Sequence, residues 1–496
     1  VTPPQPKALE GVVRVLRDAD LLQEVRGSED VDVSGVSHDS RTVAPGDLFV
    51  AWPGTSVDGH DFVAGAVEAG AVAIVCERPM DLDVPQLVVR DGRAAASLAA
   101  HWFHDLPGDE LTLIAVTGTN GKTTTAFLLR HILAARQRAA VIGTLGYVGA
   151  DGVAHPETAD LTTPGPVEFA RRLRSCVEAG VHDVVFEASS HALDQRRFEG
   201  VSLDAAIFTN LSRDHLDYHP DMDAYRAAKL RLVEHLGDGA TAVVNRADPA
   251  WASVTGPKTL TFAVGDEAGD APVDLRAVDV ETDRSGTEFT LVYAGWRYPV
   301  DLPLVGAFNV ENAVAAAGAA LALGHDLSDV VSRLRTAPQI PGRLERVVDG
   351  NTPVLIDFAH TPDALERVLW TLRPLVKGRL IVLFGAGGDR DAHKRPEMAA
   401  AVARVADLAV LTSDNPRTED PEKILDDLEA GLGDMARFRE VDRRAAIRIA
   451  IGAAEPGDLV LLAGKGHERT QTIGTEKRMF DEAAIAREAC AARGAA

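Results

Sequence analysis

The chain lacks a cysteine framework. Cys76, Cys176 and Cys490 stand far apart and none has a C-x-x-C partner, which excludes a disulfide scaffold and a zinc knuckle. No uncharged apolar run approaches the roughly 20 residues of a membrane-spanning helix. The first residues, VTPPQPKALEGVV, show no basic segment leading into an apolar core, so no secretory signal is read there. Positive charge is scarce: 51 Lys plus Arg against 74 Asp plus Glu leaves a net charge of −23. A field of that sign repels phosphate backbones and anionic membranes, which argues against nucleic acid as a partner. Any anionic ligand then needs a locally built cationic site. Repeats and low-complexity tracts are absent too. These absences leave a soluble, cytoplasmic, multidomain protein, read as a monomer.

What is present is an ordinary globular balance, 46% hydrophobic and 25% charged over 496 residues. At roughly 100–200 residues per domain this suggests about three domains. Short apolar runs recur, among them LTLIAV (111–116), DVVF (183–186), LIVLF (380–384), LAVL (408–411) and LVLL (459–462). Ala/Leu/Arg-rich stretches with helical spacing separate most of them. The alternation predicts an α/β protein whose parallel sheets are covered on both faces. Pro-Gly in WFHDLPGDE (102–110) and the prolines of TAPQIPGRLERV (336–347) mark joints, dividing the chain into 1–108, 109–340 and 341–496. The stretch from about 255 to 305 alternates in the manner of antiparallel strands and reads as a β-rich insert of the middle domain.

One loop carries chemistry on its face. TGTNGKTT (117–124) follows an apolar run and precedes a helical one, yet the usual phosphate-loop pattern fails, because Val116 stands where a glycine belongs. A strand, a glycine-rich turn and a helix still present backbone N–H groups and a helix N-terminus to an anion. Gly118 and Gly121 permit the turn and close approach. Lys122 would reach the terminal phosphates and Thr123 would hold Mg²⁺.

With the motifs that follow it, TGTNGKTT resembles the shortened loop of the ATP-dependent Mur ligases and the related folylpolyglutamate synthetases, so Thr119, Asn120 and Thr124 are expected at the nucleotide as well. Such enzymes use ATP to activate a carboxylate as an acyl phosphate, which an amine then attacks. Glu187, after DVVF, and His215, in TNLSRDHLDYH (209–219), lie at strand ends and could hold a divalent metal beside ATP. The resemblance adds Lys229 of YRAAK as a carbamylated lysine; a lysine ammonium has no lone pair for Mg²⁺, whereas a carbamate offers an anionic oxygen. It further implies nucleotide contacts from Asn309 of GAFNVEN, Arg343 of PGRLE, and Asp357 and His360 of IDFAH.

The likeness extends to both ends of the chain and implies a uridine-nucleotide-binding first domain, a central ATPase-like parallel sheet and a Rossmann-like last domain. Ser40, Thr55, Ser56 and Val57 are implied near the uridine nucleotide. Thr162 and Thr163 of DLTTPG, with Ser189, Gln195 and Arg197, are implied along a UDP-N-acetylmuramoyl peptide. His38 and Phe358 stand where the family varies.

In the last domain three strand-end loops converge: GGDRDAHKR (387–395), TSDNPRTEDP (412–421) and AGKGHE (463–468). Asp414-Asn415-Pro416-Arg417 matches the D-N-P-R motif of the diaminopimelate-adding branch. Arg390 and Arg417 can pair with a distal carboxylate, and Glu468 and the Gly464 carbonyl can accept from its ammonium. The resemblance therefore implies an ATP- and Mg²⁺-dependent amide ligase of peptidoglycan synthesis. It would join meso-diaminopimelate to the D-glutamyl γ-carboxylate of UDP-N-acetylmuramoyl-L-alanyl-D-glutamate. A lysine-adding ligase, a folylpolyglutamate synthetase and a nucleotide-binding module without catalysis are the alternatives. Arg417, the N-terminal domain and the set Glu187, His215 and Lys229 argue against them in turn.

Overall fold

Three sheets organise the chain, in a computed structural model that describes residues 5–54, 57–159, 161–265 and 272–494. The first has five strands, ordered Leu22–Arg26, Gln86–Val89, Ala73–Cys76, Asp47–Val50 and Gly35–Ser37; only the edge strand Leu22–Arg26 runs antiparallel.

The central sheet has eleven strands. Its middle is parallel and mostly buried: Ala139–Gly143, Asp183–Glu187, Thr112–Thr117, Leu203–Phe208 and Leu236–Asn245. Such strands meet helices on both faces, which is why their sequences are continuous apolar runs rather than alternating ones. Helix Lys122–Leu133 and the Ala-rich helix Ala307–Ala322 pack on one face with Ile114, Val116 and Ile207. Phe169, Phe186 and Phe198 fill the other.

The described part of the alternating segment 255–305 is β-rich, as its pattern implies, but not antiparallel throughout. Its strands continue the central sheet, and Lys258–Val264 pairs parallel with both Leu236–Asn245 and Leu275–Thr282. Only Leu275–Thr282, Thr287–Tyr293 and Trp296–Leu302 meander antiparallel. Alternation appears because one face alone is covered: Phe289, Leu291, Val300 and Leu302 belong to the core beneath helix Ala307–Ala322.

The last sheet orders Glu345–Val348, Val354–Asp357, Leu459–Ala463, Leu380–Phe384, Leu408–Leu411 and Arg437–Arg439, parallel except for its first edge strand. Helices Pro362–Leu372, Lys394–Ala403 and Pro421–Glu429 cover one face. Arg443–Ala453 and Glu482–Gly494 cover the other. Among the described residues no helix is long and apolar enough to cross a membrane.

Candidate active site

The strand Thr112–Thr117 delivers the chain to the turn 118–121, and helix Lys122–Leu133 begins at once. Gly121 has φ +86°, and a Cβ there would lie 2.2 Å from Asn312 Oδ1, so only glycine fits the turn. Thr119, Asn120, Gly121, Lys122, Thr123 and Thr124 line a cavity of about 350 Å³. Gly118 stands behind it, and its carbonyl accepts from two lysines, Lys122 Nζ at 3.0 Å and Lys229 Nζ at 2.7 Å. Lys122 also donates to the Thr119 carbonyl at 2.9 Å. Burial lowers the pKa of both amines, and for the wholly buried Lys229 it does so strongly, with repulsion from Lys122 added.

Glu187 forms the inner wall. Its carboxylate is 1% exposed and accepts from Thr144 N (2.8 Å), Thr144 Oγ1 (3.0 Å) and Thr123 Oγ1 (3.0 Å). Arg343 Nη2, from beyond the central sheet, donates to the same Thr123 Oγ1 at 3.1 Å. The Arg343 guanidinium lies 4.8 Å from the Phe358 ring, and its buried Nε has no hydrogen-bond partner, a donor free for an anion. Asp357 holds this loop through Leu344 N and Ala359 N, both at 2.7 Å. Burial raises the Asp357 pKa against the pull of Arg343. Gly342 touches the turn at Gly466 so closely that a Cβ would lie 2.2 Å from His467 N.

Among the described residues no three His, Cys, Asp or Glu side chains gather at metal-ligand spacing. Mg²⁺ asks for less, one or two protein oxygens beside phosphates and water. The Thr123 hydroxyl and the Glu187 carboxylate, adjacent on the cavity wall, fit that requirement. His215 lines the same cavity. Lys229 does not line it, and its amine donates to Gly118.

A second cavity, of about 510 Å³, lies beyond the carboxyl ends of the last sheet. Arg390, Asp414, Asn415, Arg417, Gly464 and Glu468 all line it, whereas Pro416 shapes the turn from outside. Arg417 Nη1 donates to the Gly388 carbonyl at 2.7 Å. The two cavities share a wall made of Asp214, His215, Phe358, His360 and Thr361. Four non-glycine residues on the surrounding loops, His215, Leu344, Asp389 and Arg417, hold positive φ of 53°, 44°, 53° and 53°. Each costs about 1–2 kcal/mol, and such strain gathers where side chains must be aimed.

A third cavity, of about 220 Å³, separates the first sheet from the central one. His38, Trp52, Gly54 and Arg93 face Leu161, Gly165, Pro166, Gln195 and Arg197 across it. His38 stacks on Trp52 at 5.5 Å. Arg197 is aimed by bonds to the Thr163 carbonyl (2.7 Å) and to Gln195 Oε1 (2.8 Å). Ser40 and Val57 do not line this cavity, and Thr55 and Ser56 lie outside the described residues. Thr162 lines the nucleotide-loop cavity instead. Thr163 is buried, with its hydroxyl on the Glu187 carbonyl (2.6 Å), and Ser189 caps helix Ser190–Asp194.

Asn309 does not line the loop cavity. It is buried and bonds the Val305 carbonyl, and Asn312, one turn on, reaches the cavity. The N-x-x-N spacing carried that signal, since both asparagines share one helix face. Sequence reasoning also missed Asp214, although it adjoins His215. Burial opposes its ionisation, but His215, His360 and Lys122 outweigh that and hold its pKa below the usual value. Thr144, which orients Glu187, had no motif to mark it.

Comparison with known proteins agrees with this geometry. The family descriptions "Mur ligase family, catalytic domain", "Mur ligase middle domain" and "Mur ligase, glutamate ligase domain" match residues 32–102, 116–320 and 342–466. A UDP-N-acetylmuramoyl-L-alanyl-D-glutamate–2,6-diaminopimelate ligase of Geobacillus thermodenitrificans is 44% identical over 470 residues, 92% of this chain and 95% of that protein. The ligase of the same name from Gloeobacter violaceus is 43% identical over 95% of this chain and 96% of its own. A solved structure of a ligase of that name superimposes with a TM-score of 0.69 at 34% identity, over 99% of this chain and 100% of that one. The chain belongs to the Mur ligase family.

Proposed function

We propose that this protein is an ATP-dependent ligase that joins meso-diaminopimelate to the D-glutamyl γ-carboxylate of UDP-N-acetylmuramoyl-L-alanyl-D-glutamate, in peptidoglycan synthesis. The carrying observation is the wall shared by the two larger cavities, with a phosphate loop in one and paired carboxylate and guanidinium groups in the other. A reaction that passes an acyl group from a phosphate to an amine needs that adjacency. Residues 1–108 take the uridine nucleotide, 109–340 the ATP and 341–496 the amino acid. We read the protein as a monomer.

In this reading the γ-carboxylate oxygen takes the terminal phosphoryl group, the bond to ADP breaks, and an acyl phosphate forms. The amine of diaminopimelate, having lost a proton, attacks the acyl carbon. The tetrahedral intermediate collapses with phosphate leaving and an amide formed. Lys122 and Arg343 offset the charge of the transferring group. Thr123 and Glu187, with His215 near, would hold Mg²⁺, which would supply further charge compensation at the phosphates. The strongly lowered pKa of Lys229 favours the neutral amine, the form that carbon dioxide converts to a carbamate. Arg390 and Arg417 take the distal carboxylate, while Glu468, Asp414 and the Gly464 carbonyl take the distal ammonium.

The test is phosphate release by purified protein with ATP, Mg²⁺ and the UDP-muramoyl dipeptide, with meso-diaminopimelate or L-lysine as acceptor. Turnover with diaminopimelate and little with lysine is expected. Turnover with lysine alone would overturn the assigned substrate, and none with either would overturn the ligase reading.

A further inference from the structure

One cation belongs to the amino-acid cavity without lining it. Lys465 is wholly buried beneath the cavity, and its Nζ donates to Asn415 Oδ1 (3.1 Å), Glu468 Oε2 (3.2 Å) and the Thr470 carbonyl (3.0 Å). Those bonds use all three ammonium hydrogens. Asp414 Oδ1 nevertheless lies 3.3 Å away, buried and without a hydrogen-bond partner of its own, an ionic contact. Glu468 Oε2 also accepts from Asn415 Nδ2 at 2.9 Å, and Asn415 Oδ1 from Thr472 N at 2.9 Å. A single ammonium thus ties together the D-N-P-R turn, the G-K-G-H-E turn and the hairpin strand Thr470–Ile473.

We propose that Lys465 is a specificity-determining positioning residue, the buried counter-charge that leaves the acidic half of the amino-acid cavity with one uncompensated negative charge, matched to one ammonium. Two carboxylates, Asp414 and Glu468, contact one lysine, while Lys394, which lines the same cavity, is drawn more to Asp214 and Asp391 than to Asp414. The neighbouring Arg443 is paired elsewhere: its guanidinium is bound to Glu482 at 2.7 Å and both are buried, so it acts on Asp414 less than Lys465 does. Burial opposes ionisation of Asp414, yet its pKa lies below the usual value, with Lys465 the largest favourable influence and Arg443 and His360 behind it. Arg390 and Arg417 remain for a carboxylate.

The inference rests on the amino-acid assignment made above and sharpens it. Diaminopimelate brings an ammonium and a carboxylate to this end of the cavity, and L-lysine brings an ammonium alone. Without Lys465 the floor gains an uncompensated charge that repels the carboxylate and attracts the lone ammonium. A residue that merely supported the fold would depress use of both acceptors in proportion.

The experiment compares kcat/KM for meso-diaminopimelate and L-lysine in the full-length wild type and in Lys465→Met. The ratio of the two is expected to fall at least about tenfold, through a raised KM for diaminopimelate, with the KM values for ATP and UDP-dipeptide within about twofold. If the wild type uses neither acceptor, the functional reading fails and this inference with it. If the wild type uses diaminopimelate and the variant loses both acceptors in proportion, or changes nothing, only the role of Lys465 is overturned. Should Lys465→Met not fold, Lys465→Gln keeps a donor without the charge and carries the same expectation. Failure of both to fold would mark a structural residue and overturn the proposal.

Discussion

The nucleotide-loop cavity and the amino-acid cavity occupy equivalent places, beyond the carboxyl ends of parallel strands, but they are made of different material. The phosphate loop of the first is largely backbone: a turn of two glycines, a helix N-terminus, and Lys122 resting on main-chain carbonyls. The second is made of side chains from three distant loops, held in register by buried charge. Backbone recognises what every nucleotide shares, a phosphate chain. Side chains are where a choice between two amino acids must be written, because only they differ in sign and reach.

The comparison is broken most severely at Lys122. Lys122→Ala removes the cation facing the phosphates and should lower the rate of phosphate release by about 10³-fold or more with any acceptor. If the loss depended on the acceptor, the division of labour would be wrong. Arg417→Ala should act on the other cavity alone. Loss of one charge-assisted hydrogen-bonding partner, worth about 1.5–3 kcal/mol, corresponds to roughly a 10- to 100-fold rise in KM for diaminopimelate. ATP affinity, measured by calorimetry, should not move. The smallest effect is expected at Asp363, which leans from the last domain onto the phosphate loop, accepting from Ser212 Oγ at 3.1 Å and Asn120 Nδ2 at 3.4 Å. Asp363→Ala should raise the KM for ATP about two- to fivefold, the worth of two partly buried, long polar contacts. Asp363 also lines the amino-acid cavity, so an equal rise for diaminopimelate would show that it serves both cavities directly.

The same contrast explains what was legible in the sequence. The phosphate loop could be read because strand, turn and helix are adjacent in the chain and each obeys a local rule. The parallel sheets could be read for a similar reason, since burial on both faces leaves unbroken apolar runs. The pairing direction of Lys258–Val264 could not, because side-chain alternation reports which face is covered and says nothing about the direction of a neighbour. Asn312 was passed over for Asn309 because a motif gives spacing but not which member faces the ligand. Lys465 sat in a quoted motif, yet its bond to Asn415 spans 50 residues of chain, and no local pattern carries that. Least legible was the cavity between the first two sheets: His38 and Trp52 fall in the stretch that holds Ser40 and Val57, the residues named for the uridine nucleotide, and Arg93 stands in no motif.

The close approach of Gly342 to Gly466 has a mechanical meaning. A Cβ on Gly342 would fall 2.3 Å from Gly466 C, and one on Gly466 would fall 2.7 Å from Phe358 Cβ, so the two main chains lie against each other with no side chain between them. The loop that aims Arg343 at the nucleotide and the turn that carries Glu468 toward the amino acid are therefore one jaw, not two fingers. On the proposed function, a displacement of one tip would carry the other with it, so grip on one substrate would be felt at the other.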